Sequence, residues 1–287
     1  MKQFETLKLH IMTNTDSSPF LEDLIKAIEN NEIHLPAMPD LAIKINQMLN
    51  DINVSTQKIA VVVATDPVLA SQIVKAANSA VYLGKPRVDT VNAAVSRIGF
   101  QMLRNIIITF TMNKLSNSTH PVVKKYISEF WEHSREVAAI SYVLARNQKH
   151  LVQEQAMLAG LVHDIGTLPL CLYAQKTVSD LDETTLNELV TKFKAIIGNK
   201  LLLDWKFPPE ITSVVLNHEN LLLESGSPNA SYSDIVTVAN LLNPATANSI
   251  DWENIAAVRR LHYDNVTCQA FFAIFDNQLR AAHELFK

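Results

Sequence analysis

The chain has 287 residues, of which 48% are hydrophobic and 19% are charged, which is enough apolar material for one large core or two modest ones. The net charge of -4 provides no basic footprint, so we expect no nucleic-acid partner. Cys171 and Cys268 form no CxxC pair, the N-terminus lacks the apolar stretch of a signal peptide, and the longest uninterrupted apolar runs fall far short of the ~20 residues of a membrane helix. These features predict a cytoplasmic protein without membrane association.

The predicted elements are all helices, in keeping with only six glycines in the chain. Apolar spacing predicts helices over Asp40–Leu49 and Thr56–Ala64, and a third helix that begins after Asp66 with Pro67 at its first position. The run RNIIITFTM is rich in β-branched residues, but its helical neighbours favour a helix there as well. The sequence therefore predicts an all-α fold.

Turn signals divide the chain into four parts. We expect a lead over residues 1–27, which includes a helix in FLEDLIKAIEN, and an N-terminal helical part over 28–118. A second helical part spans 119–245, and C-terminal helices occupy 246–287. The seam falls in LSNSTHP, where serine, asparagine, threonine and proline concentrate.

The C-terminal tail carries a row of large apolar side chains at helical spacing, with Asp264 as an N-cap ahead of them: Phe271, Phe272, Phe275 and Leu279. A closing helix of the core is the preferred interpretation. A dimerisation helix is the alternative, and it leaves a homodimer open.

The run GLVHDIGTLPL places an imidazole and a carboxylate, His163 and Asp164, side by side in an apolar segment. We predict that AMLAGLVHDIG is a buried helix that stops at Gly166, so that both side chains lie in its last turn. Burying such groups is costly unless they have a partner. They therefore indicate a metal site.

A second helix, FWEHSREVAAISYVLARN, puts His133 on the same face as Val137, Ile140 and Leu144, and so turns it toward the core. Two helices then supply three ligand-type side chains: His133, His163 and Asp164. Imidazole nitrogen and carboxylate oxygen suit iron, manganese, nickel or zinc better than calcium.

These segments, with LLLDWKFPPEI and VVLNHEN, resemble the HD superfamily of metal-dependent phosphohydrolases. The N-terminal runs LPAMPDLAIKINQML and ATDPVLASQIVKAANSAVYLG are similar to the segment that distinguishes its HDOD group (HD-related output domain). The resemblance covers roughly residues 28–245. It implies an N-terminal helical subdomain packed on an HD-like helical subdomain, and a role in bacterial signal transduction through contact with a protein partner.

The chain departs from the pattern of active HD enzymes, which the resemblance aligns with two further histidines and a final aspartate at Lys194, Asn217 and Asn240. Loss of one anionic ligand at Asn240 is worth on the order of 4 kcal/mol, or roughly a thousandfold in metal affinity. Asp234 lies six residues earlier on another helix face and is a poor substitute. Lys194 would add a cation where a metal needs an anion if it faced the same site, but we interpret it as a solvated lysine on a helix surface.

What remains is His133, His163 and Asp164, with His218 as a weaker candidate, and we interpret them as a relic or as a site that holds a divalent transition metal at low occupancy. The preferred function is a non-catalytic signalling protein. The alternative is a metal-dependent phosphohydrolase or phosphodiesterase that uses His133, His163 and Asp164.

The run NSAVYLG, Asn78 to Gly84, matches the signature of the resembling family closely. Asn78 and Ser79 follow an apolar helix, so we expect them to end it and to bond its free backbone groups. A partner-binding role for this turn is the alternative.

Overall fold

The computed structural model describes residues 40–49, 51, 53–82, 84–115, 118–223, 226–242 and 249–286. Within these ranges the regular structure is helical and no strand occurs, which confirms the all-α prediction. The lead over residues 1–27, with its expected helix in FLEDLIKAIEN, lies outside the described residues.

The described helices follow one another along the chain with short connections. The N-terminal ones are α1 (Asp40–Leu49), α2 (Thr56–Val63), α3 (Pro67–Ala77), a 3-10 turn (Ala80–Tyr82) and α4 (Val91–Leu115). The central ones are α5 (Pro121–Ala145), α6 (Gln153–Val162), α7 (Thr167–Thr177), α8 (Glu183–Asp204), α9 (Pro209–Asn217) and α10 (Tyr232–Leu241). The last are a 3-10 turn (Trp252–Asn254), α11 (Ala256–Leu261), α12 (Asn265–Gln269), α13 (Phe271–His283) and a 3-10 turn (Glu284–Phe286).

Side-chain caps set several of these helix starts. The Asp66 carboxylate accepts hydrogen bonds from the backbone amides of Val68 and Leu69, at 3.0 and 3.1 Å, and Pro67 follows at the first helical position. The predicted start of α3 is therefore confirmed. Helix α4, which contains the β-branched run, is interrupted at Gly99, where φ is 74°. That left-handed conformation suits glycine.

The packing of α5 against α6 forms the centre of the molecule. Val137, Ile140 and Leu144 of α5 are buried, as the predicted helix face requires. A Cβ atom at Gly160 of α6 would lie 2.8 Å from the carbonyl oxygen of Val137, so the absence of a side chain at this position lets the two backbones approach closely. One continuous hydrophobic core extends from α1 to the C-terminal turn. The predicted division of the chain into four parts stays a prediction.

The segment Gln153–Thr177 is long and apolar enough to pass a composition test for a membrane-spanning helix, with 83% of its most apolar window buried inside the protein. Core helices pass the same test. In the structure this segment is two helices, α6 and α7, joined by a turn.

The C-terminal helix α13 packs on α5. Phe271 and Leu279 are buried in the core, and His283 Nε2 lies 3.1 Å from Glu136 Oε2 on α5. Asp264 caps the short helix α12 ahead of it, since it accepts a hydrogen bond from the Thr267 amide at 2.7 Å. The expected closing core helix is therefore present.

Candidate functional site

The turn between α6 and α7 carries the two residues that the sequence analysis singled out. Helix α6 ends at Val162, with His163 as its C-cap and Asp164 in the turn that follows. The prediction that the helix stops at Gly166 is wrong, because the helix already ends at Val162. Gly166 is instead the N-cap of α7, with φ -62° and ψ -17°.

Glycine is required at position 166 because helix α8 crosses directly over it. A Cβ atom there would lie 2.0 Å from the carbonyl oxygen of Lys194 and 2.6 Å from the amide nitrogen of Gly198. A Cβ atom cannot lie this close to backbone atoms, so no residue with a side chain fits at this position without a shift of the backbone. The close approach brings Lys194 of α8 next to the His163–Asp164 turn.

The His163 ring is fully buried, and its tautomer is fixed by the backbone. Its Nδ1 lies 2.6 Å from the carbonyl oxygen of Gly160, which can only accept, so Nδ1 carries the proton. Burial lowers the pKa of His163 to about 3 and keeps the ring neutral. Its Nε2 therefore presents a lone pair to the site, the arrangement typical of metal-ligating histidines.

His133 of α5 closes the outer side of the site. The prediction that it turns toward the core is wrong, because the residue is exposed and lines the cleft. Its Nε2 lies 3.2 Å from His163 Nε2, so it can donate to that lone pair when no ion is bound. Asn240 of α10 hydrogen-bonds to His133, while burial lowers the pKa of His133. The predicted position of Asn240 within the site is thus correct.

His218, the weaker candidate, lies inside the same cluster. Its Nδ1 is 3.0 Å from the carbonyl oxygen of Val214 and must donate to it, which leaves Nε2 as an acceptor. That Nε2 lies 3.3 Å from Asp164 Oδ1, but without hydrogen-bond geometry. Both atoms are buried and have no hydrogen-bond partner among the described residues.

The prediction that Lys194 is a solvated surface lysine is wrong. Its Nζ lies 2.8 Å from Asp164 Oδ2 and 2.8 Å from Glu219 Oε1, and its side chain is 14% exposed. Burial lowers its pKa, but the contacts with Asp164 and Glu219 outweigh burial and raise the pKa above its ordinary value. A permanent cation therefore sits in the site.

The charge of Asp164 is set by these neighbours. Burial raises the pKa of its carboxyl, but the polar groups that surround it oppose this effect. The Lys194 ammonium lowers it further, and the net pKa lies well below its usual range. Asp164 is a carboxylate at neutral pH, with one oxygen paired to Lys194 and the other facing His218.

Two site residues could have been placed from the sequence. Lys194 lies four residues after Val190 and three before Ile197, both buried, so helical spacing puts it on the inner face of α8. Glu219 directly follows His218 in the chain, so a buried lysine at position 194 would have suggested it as a partner. Asp234 was judged correctly: it forms the capping box of α10 with Ser231 and pairs with Arg260.

The donor set fits one divalent transition ion rather than a larger metal centre. His133, His163 and Asp164 offer ligand atoms within 4.8 Å of one another, and the unpartnered acceptors of His218 and Asp164 face the same space. A bound ion would take one Asp164 oxygen while Lys194 holds the other. Lys194 and the neutral Asn240 do not fit the anionic surroundings that a firmly held ion requires.

A cleft of about 800 Å³ opens onto this cluster and is lined by residues of α5, α7 and α8. Its charged lining consists of three carboxylates and one ammonium, besides His133: Glu129, Asp164, Glu183 and Lys194. A phosphate ester entering the cleft would find the Lys194 ammonium already paired with Asp164 and Glu219, and the Lys125 ammonium at the rim already paired with Glu183. The surroundings of the site therefore disfavour an anionic substrate.

An all-α architecture with histidines from three helices around a His–Asp turn defines an HD-type protein. The HDOD domain model matches residues 35–221, and the chain belongs to the HDOD family. The family that the sequence resemblance indicates is thereby confirmed.

Solved structures share the fold. The protein from Shewanella amazonensis SB2B named "Putative metal-dependent phosphohydrolase" is 26% identical, with a TM-score of 0.78 over 93% of this chain and 98% of its own. The HDOD domain protein of unknown function from Geobacter sulfurreducens is 20% identical, with a TM-score of 0.63 over 100% of this chain and 99% of its own. An uncharacterised protein of Treponema pallidum (strain Nichols) is 21% identical over 202 residues, which are 65% of this chain and 38% of that protein.

Proposed function

We propose that this protein is a non-catalytic bacterial signalling protein of the HDOD family, in which the HD site survives as a hydrogen-bonded relic. The observation that carries the proposal is Lys194, whose ammonium bridges Asp164 and Glu219 at 2.8 Å each. In this arrangement the carboxylate of the His–Asp pair is neutralised from within the protein.

Electrostatics support weak metal binding. Two unit charges ~4 Å apart interact by about 4 kcal/mol at an effective dielectric near 20, so a divalent ion beside the Lys194 ammonium meets repulsion on the order of 8 kcal/mol. The ion would meet this repulsion while Lys194 stays on Oδ2 of Asp164. Asn240 supplies no charge to offset that cost. We infer occupancy by iron, manganese, nickel or zinc that is low and reversible.

The output passes through contact with another protein in the cytoplasm. Support comes from the signalling role that the family resemblance implies and from a site cleft whose negative lining disfavours phosphate esters. The partner is either a different protein or a second copy of this chain. Sedimentation velocity on the purified chain detects the second copy, because a homodimer appears as a species of twice the monomer mass.

A metal-dependent phosphohydrolase is the second candidate. It is favoured by the unpartnered acceptors His218 Nε2 and Asp164 Oδ1, and by the name of the similar Shewanella protein. His133, His163, His218 and Asp164 would hold the ion. The ion would lower the pKa of a bound water and so supply the nucleophile.

Metal content decides between the two. After dialysis against a mild chelator, elemental analysis of the wild-type protein should give clearly less than one transition-metal ion per chain. The double variant Lys194→His, Asn240→Asp restores two ligand types and should retain more metal than the wild type. The single variant His163→Ala gives the background metal content. Stoichiometric metal in the wild type would contradict the proposal and support the enzyme.

A further inference from the structure

A second cleft, of about 1050 Å³, lies in the N-terminal part of the molecule, between α3, the 3-10 turn at Ala80–Tyr82 and the start of α4. Its charged lining has the opposite sign to that of the HD-type cleft. Four cationic side chains and one carboxylate line it: Lys75, Lys85, Arg87, Arg97 and Glu284. This concentration of positive charge occurs in a chain whose net charge is -4.

The cleft wall is held in place by hydrogen bonds to the turn after α3. Asn78 donates to the Val88 carbonyl at 2.7 Å and accepts from the Val88 amide at 3.0 Å. The Arg97 guanidinium donates to the carbonyls of Ala77 and Pro86. The loop that carries Lys85 and Arg87 is therefore fixed before any ligand arrives, which lowers the entropic cost of binding.

Ser79 gives an independent indication of a ligand. It lines the cleft, is only 8% exposed, and its Oγ has no hydrogen-bond partner within the described part of the chain. A buried hydroxyl without a partner is costly. The expected role of Asn78 as a helix-ending residue is confirmed by its bond to the Val74 carbonyl at 3.0 Å, but Ser79 has no such structural bond.

Two further residues limit what can bind. The Lys85 ammonium lies 6.0 Å from the centre of the Tyr82 ring, so an aromatic surface and cations border the same space. Glu284, from the C-terminal turn, accepts a hydrogen bond from the Ala80 amide at 2.7 Å and places one carboxylate at the cleft. That carboxylate repels an anion and opposes the cations.

We propose that this basic cleft binds a small molecule that bears phosphate groups. Guanidinium and ammonium groups together recognise phosphate, and the volume is that of a nucleotide-sized ligand site. The ligand would accept from Lys85 and Arg87 and satisfy Ser79. This site goes beyond the proposed signalling function and provides an input that is separate from the HD-type cluster.

Binding is tested on the purified full chain in the presence of a chelator, with inorganic pyrophosphate followed by calorimetry and a MANT-labelled ATP followed by fluorescence anisotropy. Arg87→Glu should weaken both probes by about tenfold, because it reverses a charge that lines the cleft. Lys124→Glu is the matched control, an equal charge change at an exposed position on α5, and should alter the affinity by less than about twofold.

A variant that binds more tightly than the wild type must be folded, so an expected gain of affinity separates a loss of ligand contacts from a loss of the fold. Glu284→Gln removes the opposing charge but keeps an oxygen that can accept from the Ala80 amide, so both probes should bind about threefold more tightly. Tyr82→Leu distinguishes two classes of ligand. If only the MANT nucleotide binds more weakly, the cleft binds a nucleotide. If both probes bind as before, the cleft binds a phosphate compound without a base.

The proposal is overturned if neither probe binds at about 1 mM. It is equally overturned if Lys124→Glu weakens binding as much as Arg87→Glu, or if Glu284→Gln leaves both affinities unchanged. These measurements involve no metal and no hydrolysis, so their outcome is independent of the state of the HD-type site.

Discussion

Lys194 and Asp164 form an ion pair at the point where an HD enzyme would hold its metal through the aspartate. The pair is nearly buried, with exposed fractions of 14% and 12% for the two side chains. Around it, His133 can donate to His163, and backbone carbonyls take the Nδ1 protons of His163 and His218. The cluster is thus largely satisfied by the chain itself, and only His218 Nε2 and Asp164 Oδ1 remain without hydrogen-bond partners among the site atoms described.

Removing the cation from this pair should expose the cost of a buried carboxylate. Lys194→Met should lower the free energy of unfolding by about 2 kcal/mol, because Asp164 then lacks its strongest partner. Adding Asp164→Asn to that variant should recover part of the loss, since the uncompensated charge is gone. Urea unfolding of the two variants measures the difference.

A matched control is available in the exposed pair of Lys125 and Glu183, whose side chains are 56% and 62% exposed. Lys125→Met should lower the free energy of unfolding much less than Lys194→Met does, because water screens the exposed pair. If Lys194→Met costs no more than this control, the internal cation does not stabilise the site and the relic interpretation fails.

His163→Ala tests whether the site contributes to folding through a metal. Without a structural ion, the substitution removes packing and one hydrogen bond to Gly160, so stability should fall by about 1 to 3 kcal/mol and the helical fold should persist. Thermal melts of wild type and variant, with and without manganese, measure this. A large gap between the two proteins that appears only with manganese would show a structural metal instead.

At the level of helices, the start of α7 against α8 determines the geometry of the site. Local signals in the sequence predicted the caps at Asp66 and Asp264 correctly, because a cap depends on neighbours within three residues. The role of Gly166 was predicted wrongly as a helix stop. Its true constraint is a tertiary contact with Lys194, 28 residues further along the chain, which no local pattern contains.

This contact predicts different costs for two glycines that face each other. Gly166→Ala places a Cβ atom 2.0 Å from a backbone carbonyl, whereas Gly198→Ala meets the Val215 side chain at 2.8 Å, and a side chain can move more easily than a backbone. We expect a loss of about 3 kcal/mol for Gly166→Ala and a smaller one for Gly198→Ala. Chemical denaturation of both variants gives the order, and a reversed order would contradict the packing described.

At the scale of the whole molecule, two clefts of opposite charge lie on one helical body. The HD-type cleft is lined mainly by carboxylates and the N-terminal cleft mainly by cations. The C-terminal segment contacts both regions, through His283 to Glu136 on the helix that carries His133, and through Glu284 to the Ala80 amide. This arrangement suits a protein that detects a ligand at one place and presents a surface at another.

The sequence predicted much of this architecture because helical periodicity is local and the family pattern is long. It located His133, His163, Asp164 and Asn240, which the structure brings together. It placed Lys194 on a solvated surface and did not include Glu219. Helical spacing could have turned Lys194 inward, but its pairing with Asp164 and Glu219 depends on how α8 and α9 pack over the His–Asp turn. The basic cleft was also missed, because its cations come from separate stretches of the chain.

We expect that the HD-type site does not hydrolyse phosphate esters, and a turnover assay measures this. Purified protein is supplied with iron, manganese, nickel or cobalt and offered nucleoside monophosphates, cyclic dinucleotides and a generic phosphodiester. We predict no turnover above that of His163→Ala and Asp164→Ala, because the site lacks a firmly held ion and its ammonium, Lys194, is already paired with Asp164 and Glu219. Metal-dependent hydrolysis by the wild type that disappears in both variants would contradict the account and establish the enzyme.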